Sequence, residues 1–286
     1  MPEMPEVQAH AERLSEQFGG LRLKLFRPFT FTALKTVLPT PEEAYGRPLQ
    51  VVGRRGKFLL LEFEPVTFVV HLMHGGRLLV DDKKSAKPRA GQARFVFERP
   101  PGATDPPALL LTEQGTERKA GVWCVSTEKA FSSEPLDTLG PEAATISAVE
   151  LTGRFAALPN TRLHSFLRDQ HAVAGLGRRL ANEVCHRAKV SPFAMTHKLD
   201  ADMAAAIVTA IRAAVDEGLT EERQRPDMSA SKERSSRVHQ RSGEPCPVCG
   251  DTVRAVEYAS YTVNYCPTCQ TGGKVLADNT TSKFLR

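Results

Sequence analysis

GEPCPVCG at residues 243–250 and NYCPTCQ at residues 264–270 form two knuckles that read Cys246-x2-Cys249-x16-Cys266-x2-Cys269. Two C-x-x-C pairs at this separation suit tetrahedral coordination of one zinc ion by four thiolates. Soft sulfur ligands favour zinc, and a reducing compartment disfavours pairing the same sulfurs as two disulfides. A redox role for either C-x-x-C is the alternative, and the doubled knuckle speaks against it. Four thiolates leave no coordination position for water, so the ion is structural and a hydrolytic zinc centre is excluded. Its predicted task is to staple a β-hairpin running through residues 250–265.

Upstream of the knuckles, residues 219–243 (LTEERQRPDMSASKERSSRVHQRSG) are polar and rich in breakers, which predicts a mobile loop or linker. Residues 146–218 show helical periodicity. In the last helix Asp200 is the N-cap, Met203, Ile207, Ile211 and Val215 form the buried stripe, and Gly218 closes it. Before it, FLRDQHAVAGLGRRLANEVCHRAKVSP (166–192) predicts a helix, a Gly-Leu-Gly turn at 175–177 and a second helix. Backbone N–H groups opening that second helix form a phosphate site, with Gly175 and Gly177 allowing close approach. Arg178 and Arg179 in its first turn oppose the helix dipole unless an external anion offsets them. An ordinary helical hairpin with solvated arginines is the plainer reading of the same residues.

The N-terminal part reads as strands. LRLKLF, GKFLLLEFE, TFVVHLMHGGRLLV, ARFVFE, ALLLTE and GVWCVS are short, rich in β-branched and aromatic residues, and separated by stretches such as KPRAGQ and RPPGATDPP. A β-sandwich or barrel follows. An opening helix buries Val7, Ala11, Leu14 and Phe18 and ends near Gly19-Gly20. SSEPLDTLGPEAA (132–144) reads as an interdomain hinge, and Cys124 and Cys185 as buried thiols.

A chain of 286 residues with 41% hydrophobic and 25% charged content predicts a soluble protein of two domains. It has no run of 18 apolar residues and no signal-peptide pattern, so a cytosolic location is expected. The net charge of +5 is small, but the cations cluster in GRRGK (53–57), in residues 168–189 and in residues 223–241. Three basic segments point to a polyanionic partner, nucleic acid above all.

PEMPEV (2–7), RRGKFLL (54–60), LGPE (139–142), DQHAVAGLG (169–177) with ANE (181–183), GEPCPVCG and YCPTCQ occur in an order and spacing that resembles the formamidopyrimidine-DNA glycosylase / endonuclease VIII family of base-excision repair enzymes. The resemblance covers nearly the whole chain. It implies an α+β fold with an N-terminal helix and catalytic β-sandwich (1–131), a hinge (132–145), a helix–two-turn–helix DNA-binding domain with a polar loop (146–243), and a zinc finger with a tail (244–286). It further implies removal of the initiator Met and nucleophilic attack by the amine of Pro2. Glu3 then moves protons at the sugar, Glu6 shapes the site, and Lys57 contacts phosphate near the lesion. An α-amino group titrates near 7.7–8.0, so a neutral fraction exists at cellular pH. A secondary amine attacking C1′ displaces the base and leaves an iminium, whose acidified C2′ proton permits β-elimination. The implied partner is damaged double-stranded DNA with the target nucleotide flipped out, bound by a monomer at the nucleoid. One structural zinc is expected, with no small-molecule cofactor and no membrane.

The pattern breaks at four places. Tyr261 stands where the family's zinc hairpin carries an arginine, bringing neither charge nor a bidentate fork. Arg178 replaces the usual Asn after Gly-Leu-Gly. In HLMHGGRLLV, His74 stands where the family's DNA wedge is a Met, with Met73 just before it, so that either is a wedge. The loop that usually supplies a further Arg and Phe is TEQGTERKAGVW (112–123), where Arg118 or Lys119 substitutes. Base removal is therefore expected to persist, with altered lesion choice and uncertain strand cleavage. A non-catalytic or monofunctional damage-binding protein is the alternative. A zinc-ribbon transcription factor leaves the PEMPE start unexplained.

Overall fold

The structure, a computed structural model, describes residues 2–102, 104–115, 117–228, 234–259 and 261–276. Helix α1 (Met4–Phe18) starts where Pro5 occupies a first-turn position whose N–H would have no intrahelical partner. Val7, Ala11, Leu14 and Phe18 are all buried, as their spacing requires. The chain leaves the helix at Gly19, whose N–H returns to Ser15 O at 2.9 Å.

Eight strands follow: β1 (Leu23–Pro28), β2 (Val51–Arg55), β3 (Phe58–Glu62), β4 (Val66–His71), β5 (Gly76–Val80), β6 (Gly91–Phe97), β7 (Ala108–Glu113) and β8 (Gly121–Ser126). They form two four-stranded sheets, ordered β1-β6-β7-β5 and β2-β3-β4-β8. All the neighbours pair antiparallel. Aromatic rings interdigitate between the sheets: Phe68 of β4 lies 5.3 Å from Phe26 of β1 and 5.2 Å from Phe95 of β6. Removing one such ring is worth about 3–5 kcal/mol. Strand β2 is not among the strands expected from the sequence, where residues 53–57 stand out as a basic cluster and a motif. Arg54 and Arg55 pair with Leu59 and Phe58 across a hairpin whose turn needs the positive φ of Gly56 (+56°).

Helices α2 (Ala148–Ala157), α3 (Leu163–Arg168), α4 (Arg178–Arg187) and α5 (Ala201–Arg223) come next, followed by a hairpin of β9 (Arg254–Tyr258) and β10 (Tyr261–Tyr265) and by α6 (Pro267–Thr271). The expected zinc hairpin is thus β9–β10. Gly140 of LGPE lies against the turn after α3, where a Cβ would meet His171 O at 2.4 Å. The chain divides into two compact units, Met1–Thr138 with Glu222–Lys232, and Leu139–Glu221 with Glu233–Arg286.

Three expectations for residues 200–243 need correction. Asp200 does cap α5, its Oδ1 accepting from Met203 N at 2.8 Å, but Met203 itself is 39% exposed and lies off the buried stripe of Ile207, Ile211 and Val215. Gly218 does not end the helix, which runs on to Arg223. A helix-interior glycine costs only about 1 kcal/mol. That is offset here because the residues from Glu222 onward are packed in the first unit. Arg13 Nη1 donates to Glu222 O at 3.0 Å and to Arg225 O at 3.3 Å. Arg223 grips the Glu12 carboxylate through Nε and Nη2, and Met228 is buried in the sandwich core. The expected mobile loop is therefore anchored as far as Met228; its residues 229–233 lie outside the described residues.

Candidate active site, nucleic-acid surface and zinc centre

Glu3 is the N-cap of α1 and forms a capping box with Glu6: each side chain accepts the backbone N–H of the other. The Glu6 Oε2 to Glu3 N distance is 3.0 Å. Both carboxylates are buried, and these charge-assisted bonds offset part of their desolvation. Pro2 precedes the cap by one residue, so the direction of the chain there is set by the box. Helix α1 is fixed on β2 by Arg54 Nε donating to Gln8 Oε1 (3.1 Å) and by Val52 N donating to Ser15 Oγ (3.2 Å). On its other side His10 Nε2 donates to Leu78 O of β5 at 2.6 Å. Burial holds that imidazole neutral, with its pKa lowered to about 4.

Lys57 is buried in the turn between β2 and β3. Its charge acts on His71, a residue the sequence reading passed over. Burial first, then Lys57 and His74, push the His71 pKa down to about 4. The neutral ring packs 4.5 Å from Phe58, and its Nδ1 accepts the N–H of Met73 at 3.1 Å. The β4–β5 turn is thereby pinned, with Met73 at φ +50° and packed on the sandwich core while His74 is exposed. Of the two expected wedge residues, His74 is the one that faces solvent. The neighbouring turn is closed by buried Glu113, whose Oε2 accepts from Lys119 N and from Ala120 N (2.6 Å). Arg118 is exposed on that turn. Lys119 pairs with Glu117 at 2.9 Å in full exposure, an arrangement that contributes little to stability.

The second unit carries an aromatic column. The Tyr261 ring stacks on Tyr258 (4.6 Å, 12°) and on His164 (6.0 Å, 13°). Arg168 lies 4.2 Å and Arg178 5.9 Å from the Tyr261 ring centre, while Arg162 lies 5.9 Å from that of Tyr258 and donates to its hydroxyl. Burial, reinforced by Arg168, lowers the His164 pKa to about 3, so this ring adds no charge to the cluster. Arg178 is exposed at the first turn of α4, where Gly177 is the N-cap without a side-chain cap bond. The N–H of Gly175 donates to Gln170 Oε1 at 3.0 Å. Glu183 of the ANE motif accepts the backbone N–H groups of Arg237, Val238 and His239 at 2.9, 3.0 and 3.0 Å. Asn182 donates to His239 Nδ1 (2.9 Å) and accepts from Asn264 N (3.3 Å), which knits α4 to β10.

The four cysteine sulfurs lie within 4.8 Å of one another. Separations of 3.9 Å (Cys246–Cys269), 3.4 Å (Cys249–Cys266) and 3.5 Å (Cys249–Cys269) bracket the edge of about 3.8 Å that a tetrahedron of 2.3 Å zinc–sulfur bonds requires. Burial, then the neighbouring Cys249, pushes the Cys266 thiol up to about 11, and burial raises Cys269 as well. Such a cluster needs a cation to hold its thiolates. The knuckles are cross-braced by Asp251, which accepts from Thr268 N and Oγ1 at 3.2 and 2.8 Å. These four cysteines are a structural zinc site. Among the described residues no helix is long and apolar enough to cross a membrane.

Fold and metal site together define a zinc-finger protein built on a two-sheet sandwich. Residues 1–110 match the family described as Formamidopyrimidine-DNA glycosylase N-terminal domain, and residues 243–272 match Zinc finger found in FPG and IleRS. The chain is 30% identical over 283 residues to the formamidopyrimidine-DNA glycosylase of Desulforamulus reducens, covering 94% of this chain and 99% of that protein. It is 41% identical over 157 residues to an uncharacterized formamidopyrimidine-DNA glycosylase-like protein of Mycobacterium tuberculosis, covering 52% of this chain and 94% of the relative. A solved structure of the Lactococcus lactis formamidopyrimidine-DNA glycosylase, non-covalently bound to DNA containing an AP site, superposes with a TM-score of 0.80 at 21% identity, covering 94% and 99% of the two chains. The chain belongs to the formamidopyrimidine-DNA glycosylase / endonuclease VIII family.

Proposed function

We propose that this chain is a DNA glycosylase of base-excision repair whose nucleophile is the amine of Pro2, exposed by removal of Met1. The observation that carries the reading is the reciprocal capping box of Glu3 and Glu6, which holds the Pro2-Glu3 pair at the positive end of α1. The helix dipole there disfavours an ammonium by about 0.3–1 kcal/mol. The two carboxylates act in the opposite sense on charge but give the reaction its proton relay.

The amine lone pair forms a bond to C1′ of an extruded nucleotide while the glycosidic bond breaks. Its electron pair leaves with the base, which takes a proton. Glu3 moves protons at the sugar as the ring opens to the iminium. Loss of the C2′ proton then expels the 3′ phosphate, which is the accompanying lyase step. Lys57 holds a phosphate near the lesion, with Glu6 fixing Glu3. His74 enters the space the base vacates, and Arg118 contacts the opposite strand. On the second unit, Arg168 and Arg178 grip backbone phosphates around the Tyr261 ring, with the α4 N-terminus at Gly177 beside them. DNA damaged at a base is the partner. The zinc fixes β9–β10 and takes no part in the chemistry.

The test is base release from a panel of duplexes carrying single oxidised or alkylated bases. Release that stops in Glu3→Gln supports the reading. Tight, lesion-selective binding without release from any duplex would favour the second reading, a damage-binding protein, which the replacement of the hairpin arginine by Tyr261 motivates.

A further inference from the structure

Helix α4 reaches the metal site through one side chain. His186 is 2% exposed, and its Nε2 lies 3.3 Å from Cys246 Sγ. Its Nδ1 is buried with no hydrogen-bond partner. Of the two ring nitrogens, only Nε2 has a group to address, and that group is a thiolate when zinc is bound. A zinc-bound thiolate can only accept, so the ring proton belongs on Nε2. We infer that His186 is a positioning residue of the zinc site: its Nε2–H donates to the Cys246 thiolate and couples metal retention to the helix that carries Arg178, Asn182 and Glu183.

Four thiolates around Zn²⁺ leave a net charge of about −2, held in partial burial. Each N–H···S bond withdraws charge from a sulfur, makes it a poorer proton acceptor, and slows the dissociation that begins metal loss. Cys246 receives a second, longer bond from Val248 N at 3.5 Å. The other knuckle is tied to the same region by a different route. Gln270 Oε1 accepts from Cys266 N at 2.8 Å while its Nε2 donates to Val190 O at 3.1 Å. Both knuckles are thus fastened to α4 or to the residues just after it, and only His186 makes that connection through a metal ligand's sulfur among the described residues. The inference concerns metal retention and stands apart from the glycosylase reading.

The experiment is zinc release from the fully loaded chain into excess 4-(2-pyridylazo)resorcinol, followed as an absorbance time course. His186→Leu should release zinc about tenfold faster or more. His186→Gln, whose amide can present an N–H at the same sulfur, should stay within about threefold of the unsubstituted chain. An unchanged rate in His186→Leu would overturn the inference, as would a glutamine variant as fast as the leucine one. A second measurement needs no substitution. In the ¹¹³Cd-loaded chain, ¹⁵N NMR should show the His186 proton on Nε2 with scalar coupling to cadmium. A proton on Nδ1 would contradict the proposal.

Discussion

The guanidinium of Arg168 sits 4.2 Å from the ring centre of Tyr261. Tyr261 supplies a π face on which cations from α3 and α4 are arranged, with Arg178 5.9 Å from the same ring centre.

Tyr261→Leu should therefore weaken binding to a lesion-bearing duplex by about 2- to 30-fold, the range of a cation–π contact of about 0.5–2 kcal/mol. Tyr261→Phe should bind within about twofold of the native chain. Fluorescence anisotropy over a salt series checks both, and Arg178→Ala should lower the log–log salt slope by about 1. Equal losses in Phe and Leu would mean that the hydroxyl, not the ring, is what matters.

Glu6→Ala removes the acceptor for Glu3 N–H. Loss of a capping interaction is worth about 0.5–2 kcal/mol, to be read from urea unfolding. Activity under conditions where the variant is fully folded should fall by well over tenfold, because the box orients Glu3. A variant destabilised as expected yet fully active would separate the cap from the chemistry.

The strands and α1 were legible because alternation and helical spacing are local properties of the chain. Strand β2 was not, since Arg54 and Arg55 mask the alternation that their partners Leu59 and Phe58 reveal. The continuation of α5 past Gly218 depends on Arg13 and Glu12, more than 200 residues away in sequence. The zinc ligands could be read because their spacing is itself the geometry. His71, Glu113 and His186 could not, because each acts through a contact made only in three dimensions. The same holds for the Tyr261 column, whose partner His164 lies on another element.

Removing zinc should disorder β9–β10 and abolish DNA binding while the sandwich stays folded. Chelator titration followed by circular dichroism in the near ultraviolet and by anisotropy tests this, since Trp123 lies in β8 of the sandwich and reports on that unit alone. Unchanged DNA affinity in the metal-free chain would contradict the role given to the hairpin.

Acid should destabilise the fold before its carboxylates titrate. His10 and His71 are held neutral, each with a pKa of about 4 in the folded chain against an ordinary value of 6.5, chiefly by burial. Between those values the unfolded chain binds more protons. Stability is thus fully present above pH 6.5 and falls as pH drops from 6.5 toward 4, by about 1.4 kcal/mol per pH unit for each such histidine. His239, lowered to about 4 by burial, adds the same trend in the second unit. His10→Gln should flatten the dependence of the urea midpoint between pH 7 and 5, and an unchanged slope would remove His10 from the account.

The central claim is that the amine of Pro2 attacks the sugar. It is tested most directly by borohydride reduction of the chain with a duplex containing one abasic site, with the product read by intact mass and peptide mapping. The expected result is one covalent adduct on the N-terminal peptide, attached at Pro2 and strongly diminished in Pro2→Gly. A chain that begins at Pro2, binds the duplex and gives no adduct, or gives one mapped to a lysine, would contradict it.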